Sequence, residues 1–246
     1  MKGILAIRNT VFTGVLFVII FAGVWNEPFD SGRLLNTWNQ HVHSSYMCLQ
    51  DTSLTKEAFD FALRGYYSLK CEGKLENDKY LTIVDFTKHS SKKRFYLINM
   101  ETFEVERKTY CSHGKNTGQE RAKYFSNRSG SLQSSLGFFI ANETYSGKFD
   151  YAMRLDGIES MNFRARDRGI VVHGAEYATE SFLKQNDNVL GRSFGCPALP
   201  KEESKEIIDF IKGGSCFFIY AGQENYEKRS KLIRPNRFLE SVQYFI

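Results

Sequence analysis

The spacing of apolar residues changes near residue 80 of this chain. Before that point, Thr55 is a helix N-capping residue type, and the apolar positions that follow it recur at helical spacing: Phe59, Ala62, Leu63 and Tyr66. Gly73 is a residue type that ends helices. The pattern therefore predicts a helix over 55–69, preceded by a more polar helix within 31–53.

Beyond residue 80, short runs rich in β-branched and aromatic residues replace the helical pattern. Such runs predict strands, here over 80–86, 94–99, 103–111, 137–140, 169–172 and 215–220. A polar Ser/Lys turn between the first two predicts a hairpin. Glycine, serine, asparagine and lysine dominate 112–135, so this region is a long loop of the kind that is usually functional. An amphipathic helix is predicted over 202–212.

The N-terminus has the pattern of an export signal. Lys2 and Arg8 precede an uncharged run from Thr10 to Trp25, a basic region followed by an apolar one. Small residues for cleavage are scarce, so a cleaved signal peptide and an uncleaved membrane anchor both stay open. Either leaves the basic flank inside and sends the remaining chain to the periplasm or cell envelope.

Four regions follow from these patterns. They are a signal peptide or anchor at 1–25, a helical segment at 26–74, a β-rich domain at 75–221 and a polar tail at 222–246. Aromatic residues make up 15% of the 246 residues, which favours a sheet-rich core. The predicted fold class is therefore mainly β with a few helices.

Composition excludes several classes of protein. With 42% hydrophobic and 25% charged residues, the chain is not intrinsically disordered. The net charge of +5 is mild and forms no dense basic stripe, so nucleic acid is not an expected partner. It suits an anionic partner such as a carboxylate-rich polymer or a membrane surface.

Five cysteines in an exported chain leave at least one unpaired. A free thiol in an oxidising compartment is a liability unless it is used. Pairing Cys48 with Cys71, and Cys111 with Cys216, would leave Cys196 free, although the sequence does not fix the connectivity.

The stretch from His173 to Pro200 carries the candidate chemistry. His173 and Gly174 end a predicted strand, and Cys196 follows Gly195 in a loop. A cysteine with a histidine at a strand end is the arrangement of a thiolate nucleophile and its base. Glycine at 195 lets backbone amides approach an oxyanion. The alternative is a buried structural cysteine and a buried core histidine.

These residues resemble the murein L,D-transpeptidase (YkuD-like) catalytic-domain family. His173-Gly174-Ala175 followed by Ser193-Phe194-Gly195-Cys196 is similar to its signature, and Gly191 to Pro197 resembles one branch with Gly-Arg-Ser-aromatic-Gly-Cys-Pro. Further similar motifs occur in order over 55–221: Leu81–Phe86, Ser112–Lys115, Phe125–Asn127, Ser134–Phe138, Leu155–Gly157 and Ile211–Gly214. The resemblance implies a β-sandwich-like catalytic domain.

The resemblance also implies roles for individual residues. Cys196 would be the nucleophile, His173 its general base, and the Gly174 carbonyl would orient the imidazole. The backbone N–H groups of Gly195 and Cys196 would bind the oxyanion. No metal or organic cofactor is implied.

Two departures from the family pattern concern substrate binding. The main branch has histidine at the position of Phe194, and arginine or asparagine at that of Ala198. Arg192 is the replacement for holding a substrate carboxylate, with a structural role for Arg192 as the alternative. Ser193 is a second candidate for contacting the substrate.

Two further sets of polar residues have open roles. His113 either lines the cleft or is a surface-loop histidine. Arg164, Arg166 and Arg168 form either a rim that binds carboxylates or a solvated strand face.

The predicted function is a peptidoglycan L,D-transpeptidase that cross-links stem peptides through a cysteine acyl-enzyme. An L,D-carboxypeptidase with the same acyl-enzyme, and a non-catalytic peptidoglycan-binding module, are the alternatives. Contact with a membrane is expected only through an uncleaved N-terminal segment.

Overall fold

The computed structural model describes residues 31–148 and 150–242, so the predicted signal peptide or anchor at 1–25 lies outside the described residues. The helices are α1 (Ser31–Cys48), α2 (Lys56–Cys71), α3 (Glu180–Gln185), α4 (Lys201–Ile211), α5 (Tyr226–Arg229) and α6 (Pro235–Val242), with a 3-10 turn at Glu176–Ala178. The strands are β1 (Tyr80–Asp85), β2 (Phe95–Asn99), β3 (Val105–Thr109), β4 (Gly137–Gly147), β5 (Asp150–Gly157), β6 (Val171–Ala175), β7 (Ala198–Pro200) and β8 (Ser215–Tyr220).

The strands form one continuous sheet in the order β3-β2-β1-β8-β4-β5-β6-β7. Neighbours are antiparallel except for the parallel pairs β1–β8 and β6–β7. Beyond β3, Ser112 bridges to Ala198 on β7, and Gly114 bridges to Ser193. These bridges bring the two ends of the sheet together, so the sheet is barrel-like. The prediction of a mainly β fold with a few helices is confirmed.

The N-terminal helices share one hydrophobic core with the sheet. Thr55 caps α2 as predicted, accepting from the Ala58 N–H. Gly65 on the same helix lies directly against the ring of Phe138, so closely that a Cβ at residue 65 would overlap it. Phe138 in turn stacks on Phe218 of β8, with 4.2 Å between ring centroids. This glycine lets α2 approach the sheet.

The prediction of a polar tail over 222–246 is wrong for its described part. Helix α6 packs against α1 and α2, and the side chain of Phe238 is fully buried. Its ring lies 5.1 Å from that of Trp38 and beneath the guanidinium of Arg64. Basic residues separate the apolar positions here, which made the segment look solvated.

Strand β5 was missed by the sequence patterns, and β4 extends beyond its predicted end at residue 140. The reason is that β5 alternates buried apolar residues with charged ones such as Arg154 and Asp156. Within the described residues, no helix is both long enough and apolar enough to cross a membrane.

The suggested disulfides are absent, because all five cysteines are free thiols. Cys111 follows β3, while Cys216 lies on β8, and β2 and β1 separate these strands in the sheet. Three strand spacings amount to about 14 Å, whereas bridged cysteines need Cα atoms within about 7 Å. Sheet topology therefore excludes the second pair.

Candidate active site

Strand register brings His173 and Cys196 to the same part of the sheet. His173 on β6 pairs with Ala198 on the parallel strand β7, and Cys196 precedes Ala198 by two residues. Neighbouring strands lie about 4.8 Å apart and rise about 3.3 Å per residue, which puts the two Cα atoms roughly 8 Å apart. A cysteine and a histidine side chain can meet across that separation. The predicted nucleophile and base are therefore brought together.

The imidazole of His173 is held in one orientation by its own backbone. Its Nδ1 lies 2.9 Å from the carbonyl oxygen of Gly174. A carbonyl only accepts, so Nδ1 carries the proton and Nε2 carries the lone pair. Burial lowers the pKa of His173, and the bond to Gly174 partly opposes that effect. The ring is thus neutral and able to take a proton at Nε2.

The thiol of Cys196 lies in a largely dry environment, with only 7% of the residue exposed. Its sulfur accepts from the Val171 N–H at 3.5 Å, and the thiol donates to the Gly169 carbonyl at 3.7 Å. Burial raises the pKa of Cys196, while the Val171 N–H and the charge of Arg168 act in the opposite direction. The resting pair is therefore a thiol and a neutral imidazole, which favours removal of the thiol proton during attack.

Gly195 occupies a backbone position that other residues adopt only with strain. Its φ is +128°, and a Cβ at this position would lie 2.8 Å from the Gln133 carbonyl oxygen and 3.0 Å from Ile170 Cδ1. Its N–H donates to Ser193 Oγ at 3.1 Å. The predicted oxyanion donor at Gly195 is therefore engaged within the loop.

Ser193 stabilises the nucleophile loop from inside. It is buried, and its hydroxyl donates to the Cys196 carbonyl at 2.6 Å while accepting from Gly195. Its own N–H donates to the His113 carbonyl. These bonds use the hydroxyl within the loop, which does not support the expected substrate contact.

Ser134 is a site residue that the sequence did not single out. Its hydroxyl donates to the Gly195 carbonyl at 3.1 Å and accepts from the Gly114 N–H at 3.0 Å. Ser134 therefore ties the predicted long loop over 112–135 to the nucleophile loop, and it also joins the two ends of the long loop through Gly114. A serine among many in a polar loop gives no sequence signal for such a role.

The structure corrects both expectations for His113. The side chain is only 1% exposed, so it neither lines a cleft nor lies on the surface. Arg94 donates to Nδ1 at 2.7 Å, and Nε2–H donates to the Gly118 carbonyl at 3.0 Å. Burial first, and then the charge of Arg94, lower the pKa of His113 to about 3. His113 is a neutral structural residue.

Arg192 lies on the wall of a surface groove. The groove has a volume of about 680 Å³, and its wall includes the charged side chains Lys115, Glu120 and Asp187 and the aromatic rings Phe182 and Phe194. Arg192 is exposed and makes no hydrogen bond or ion pair with the described chain. Phe194 is 64% exposed. The guanidinium of Arg192 is thus available to a ligand. A structural role for Arg192 does not explain this exposed position without partners among the described residues.

The three arginines that recur at spacing two have three different environments. Residues 160–169 form a series of turns and not a strand, so the spacing does not put them on one face. Arg164 lies over the ring of Phe163, and Arg166 pairs with Asp156 and Glu143 at the surface. Arg168 points inward and contacts the loop that precedes β4. The idea of a shared solvated strand face is therefore wrong.

No group of three or more histidine, cysteine, aspartate or glutamate side chains in the described ranges is arranged to hold a metal ion.

A family model described as the L,D-transpeptidase catalytic domain matches residues 50–220. The matched range covers more than half of the chain and includes His173, Cys196 and helix α2. No curated protein sequence matches this chain.

Solved structures with partial similarity include three mycobacterial proteins. An L,D-transpeptidase from Mycobacterium smegmatis is 17% identical, with 58% of this chain and 59% of that chain covered and a TM-score of 0.38. One from Mycobacterium tuberculosis H37Rv is 14% identical, with 58% and 57% covered and a TM-score of 0.38. L,D-transpeptidase 3 from Mycobacterium tuberculosis is 12% identical, with 58% and 61% covered and a TM-score of 0.38.

The aligned part of this chain therefore spans about three-fifths of the length of those proteins. At such identities and scores, the structural similarity adds no argument to the match with the family model.

Proposed function

The chain belongs to the L,D-transpeptidase catalytic-domain family, and from this premise we propose that it is a cysteine-dependent L,D-transpeptidase acting on peptidoglycan stem peptides. The observation that carries the proposal is the hydrogen bond from His173 Nδ1 to the Gly174 carbonyl. It fixes the tautomer in which Nε2 is a base, on a strand in register with the Cys196 loop.

The first half of the reaction forms a thioester. Nε2 of His173 takes the thiol proton as the Cys196 sulfur bonds to the carbonyl carbon at the L-centre of a stem tetrapeptide. The C–N bond to the terminal D-alanine then breaks, and the imidazolium returns its proton to the leaving amine. The products of this step are free D-alanine and the acyl-enzyme.

The developing oxyanion needs backbone donors close to the thiol. The Gly195 N–H is bound to the Ser193 hydroxyl, whereas the Cys196 N–H interacts with its own thiol and acts to lower the pKa of Cys196. We assign the oxyanion to the Cys196 N–H. Rotation of Ser193 Oγ away from Gly195 would free a second donor during the reaction.

The second half of the reaction transfers the acyl group. A side-chain amine of a neighbouring stem attacks the thioester carbonyl, and Nε2 of His173 takes the proton of that amine. The C–S bond breaks and Cys196 recovers a proton from the imidazolium. A new amide then joins the two stems.

Arg192 and its groove supply the binding surface in this proposal. Stem peptides end in carboxylates, and a planar guanidinium binds a carboxylate through two parallel hydrogen bonds. Lys115 adds a second positive charge to the same wall. Neither Cys196 nor His173 lines the groove, so the bound peptide would extend from it past Phe194 to the thiol.

Two finer assignments accompany this function. We place the chain in the family branch with Gly-Arg-Ser-aromatic-Gly-Cys-Pro, on the match of Gly191 to Pro197. We also propose export to the periplasm or cell envelope, where peptidoglycan lies, on the basic and apolar pattern of residues 1–25.

Mass spectrometry of purified muropeptides incubated with the protein tests the function. Cross-linked dimers with released D-alanine are expected from a transpeptidase. Tripeptide with released D-alanine would instead identify the L,D-carboxypeptidase, and unchanged tetrapeptide would support the non-catalytic binding module.

Cysteine variants test the mechanism in the same assay. Cys196→Ser should fold and lose all product, whereas Cys71→Ser, which changes an exposed free thiol, should keep full activity. Product formation by Cys196→Ser would refute the cysteine mechanism.

A further inference from the structure

Arg168 is a half-buried cation held only by uncharged groups. Its guanidinium donates to the carbonyl oxygens of Ser126 (2.7 Å) and Gln133 (2.6 Å). It also donates to the hydroxyls of Ser131 (3.2 Å) and Ser135 (2.5 Å). It forms no ion pair with a carboxylate of the described residues. Its positive charge is therefore oriented but not neutralised.

This charge lies against the nucleophile loop. One guanidinium nitrogen is 3.4 Å from the point that a Cβ of Gly195 would occupy. The electrostatic influence is reciprocal, because Arg168 lowers the pKa of Cys196 and a Cys196 thiolate would raise the pKa of Arg168. In a site with little water, a nearby opposite charge favours the ionised form of a thiol.

The four acceptors all lie in one segment of the chain, residues 126–135. Ser134 of the same segment donates to the Gly195 carbonyl. Arg168 therefore ties this segment from one side, while Ser134 ties it to the loop that ends in Cys196. Loss of the Arg168 guanidinium would remove the positive charge beside the nucleophile loop and also the hydrogen bonds that hold 126–135 against it.

We propose that Arg168 is a positioning residue that orders 126–135 against the nucleophile loop and supplies the positive charge that stabilises the Cys196 thiolate as it forms. The inference rests on the proposed function only in taking Cys196 as the reactive thiol.

The neighbouring Arg166 offers a matched control. It lies two residues away, but it is exposed and its charge is compensated by Asp156 and Glu143. A substitution there removes one arginine from the same turn without changing the charge beside Cys196. An effect seen on substituting Arg168 but not on substituting Arg166 therefore comes from the position of Arg168 beside the nucleophile loop.

The test measures the alkylation rate of Cys196 by iodoacetamide against pH, on the full chain, with the Cys196 peptide followed by mass spectrometry. In Arg168→Gln, the midpoint of the rate profile should rise by about one pH unit. Arg168→Lys keeps a charge and should stay near the wild-type midpoint. Arg166→Gln should not change it. An unchanged midpoint in Arg168→Gln overturns the proposal.

Limited proteolysis tests the ordering of the segment. Arg168→Lys cannot reach all four acceptors, so cleavage within 126–135 should be faster than in wild type. If Arg168→Gln does not fold, Arg168→Lys decides alone, and a raised midpoint without faster cleavage overturns the proposal. Alkylation of Cys196 needs no stem peptide. If the wild-type protein fails to cross-link muropeptides, the proposed function fails, but the alkylation rates of the variants can still be compared. Failure of the proposed function and failure of the role of Arg168 are therefore distinguishable.

Discussion

The guanidinium of Arg94 donates to Nδ1 of His113 across 2.7 Å, with both side chains buried. The guanidinium can only donate, so Nδ1 of His113 carries the lone pair. The proton is therefore on Nε2, which donates to the Gly118 carbonyl. The His113 carbonyl accepts from Ser193. A structural histidine thus connects Arg94, which directly precedes β2, to the loop that holds the nucleophile.

His113→Ala should lower the free energy of unfolding by about 3 kcal/mol. The substitution leaves a buried charged donor and a carbonyl without partners, in addition to a cavity. Urea denaturation measures the loss, and His43→Ala on the exposed face of α1 is the control, expected within about 0.5 kcal/mol of wild type. Equal losses in the two variants would contradict the role of the Arg94 pair.

Acid should destabilise the protein through the same residue. The pKa of His113 is lowered to about 3 in the folded chain, against about 6.5 in the unfolded chain. The unfolded state therefore binds more protons between these values, so stability falls as pH drops from 6.5 toward 3. His113→Asn keeps an acceptor for Arg94 but does not titrate. Its stability should fall less steeply with pH, as measured by urea midpoints, and a slope equal to wild type would refute the assignment.

Gly195→Ala should destabilise the protein by about 2 kcal/mol or more and reduce turnover at least about 100-fold. Positive φ is strained for alanine, and the new Cβ meets the Gln133 carbonyl. Gly130→Ala is the control, since its φ is +70° with open space around it. That variant should lose about 1 kcal/mol and keep its activity. Thermal melting and muropeptide turnover separate the two.

Arg192→Lys should keep the melting temperature and lose transfer. A charge-assisted bond of about 1.5–3 kcal/mol corresponds to a decrease in kcat/KM of about 10- to 150-fold. Arg128→Lys, at an exposed arginine outside the groove, is expected to behave like wild type. Full activity in Arg192→Lys with native stem peptide would show that another residue binds the substrate carboxylate. Lys115 on the same groove wall would be the next candidate.

Phe238→Ala should cost about 3–5 kcal/mol of stability, because this ring is fully buried against Trp38. Phe163→Ala, at a residue that is 59% exposed, should cost little. Chemical denaturation of the two variants decides whether residues beyond 222 belong to the folded core. A negligible loss of stability in Phe238→Ala would instead indicate that residues beyond 222 form a tail outside the folded core.

The sequence predicted those strands and helices whose buried residues form an uninterrupted apolar pattern. Strands β1, β2 and β8 are mostly apolar runs with every residue buried. Helix α4 has an unbroken isoleucine face. Strand β5 and helix α6 escaped because charged residues interrupt their apolar positions, and only the tertiary contacts show which face is inward.

The candidate site was predictable as far as its motifs reach. His173, Gly174 and Cys196 were found because each belongs to a short local motif, His173-Gly174 at a strand end and Cys196 in a glycine-containing loop. The inward direction of His113 depends on Arg94, which is distant in sequence, and that of Arg168 depends on acceptors more than 30 residues earlier. Such polar networks are set by geometry that residue spacing does not encode.

Strand β8 joins the two halves of the sheet, since β1 and β4 pair with it and not with each other. Strand β8 follows the other seven strands of the described sheet in chain order. A chain stopped before residue 215 would hold two partial sheets, each with an open hydrogen-bonding edge made of apolar residues. Those edges can pair with other chains, and closure across so long a stretch of sequence is slow. The nucleophile loop can therefore be complete in a growing chain while the sheet that supports it is still open, so the apolar edges stay exposed until β8 has been made.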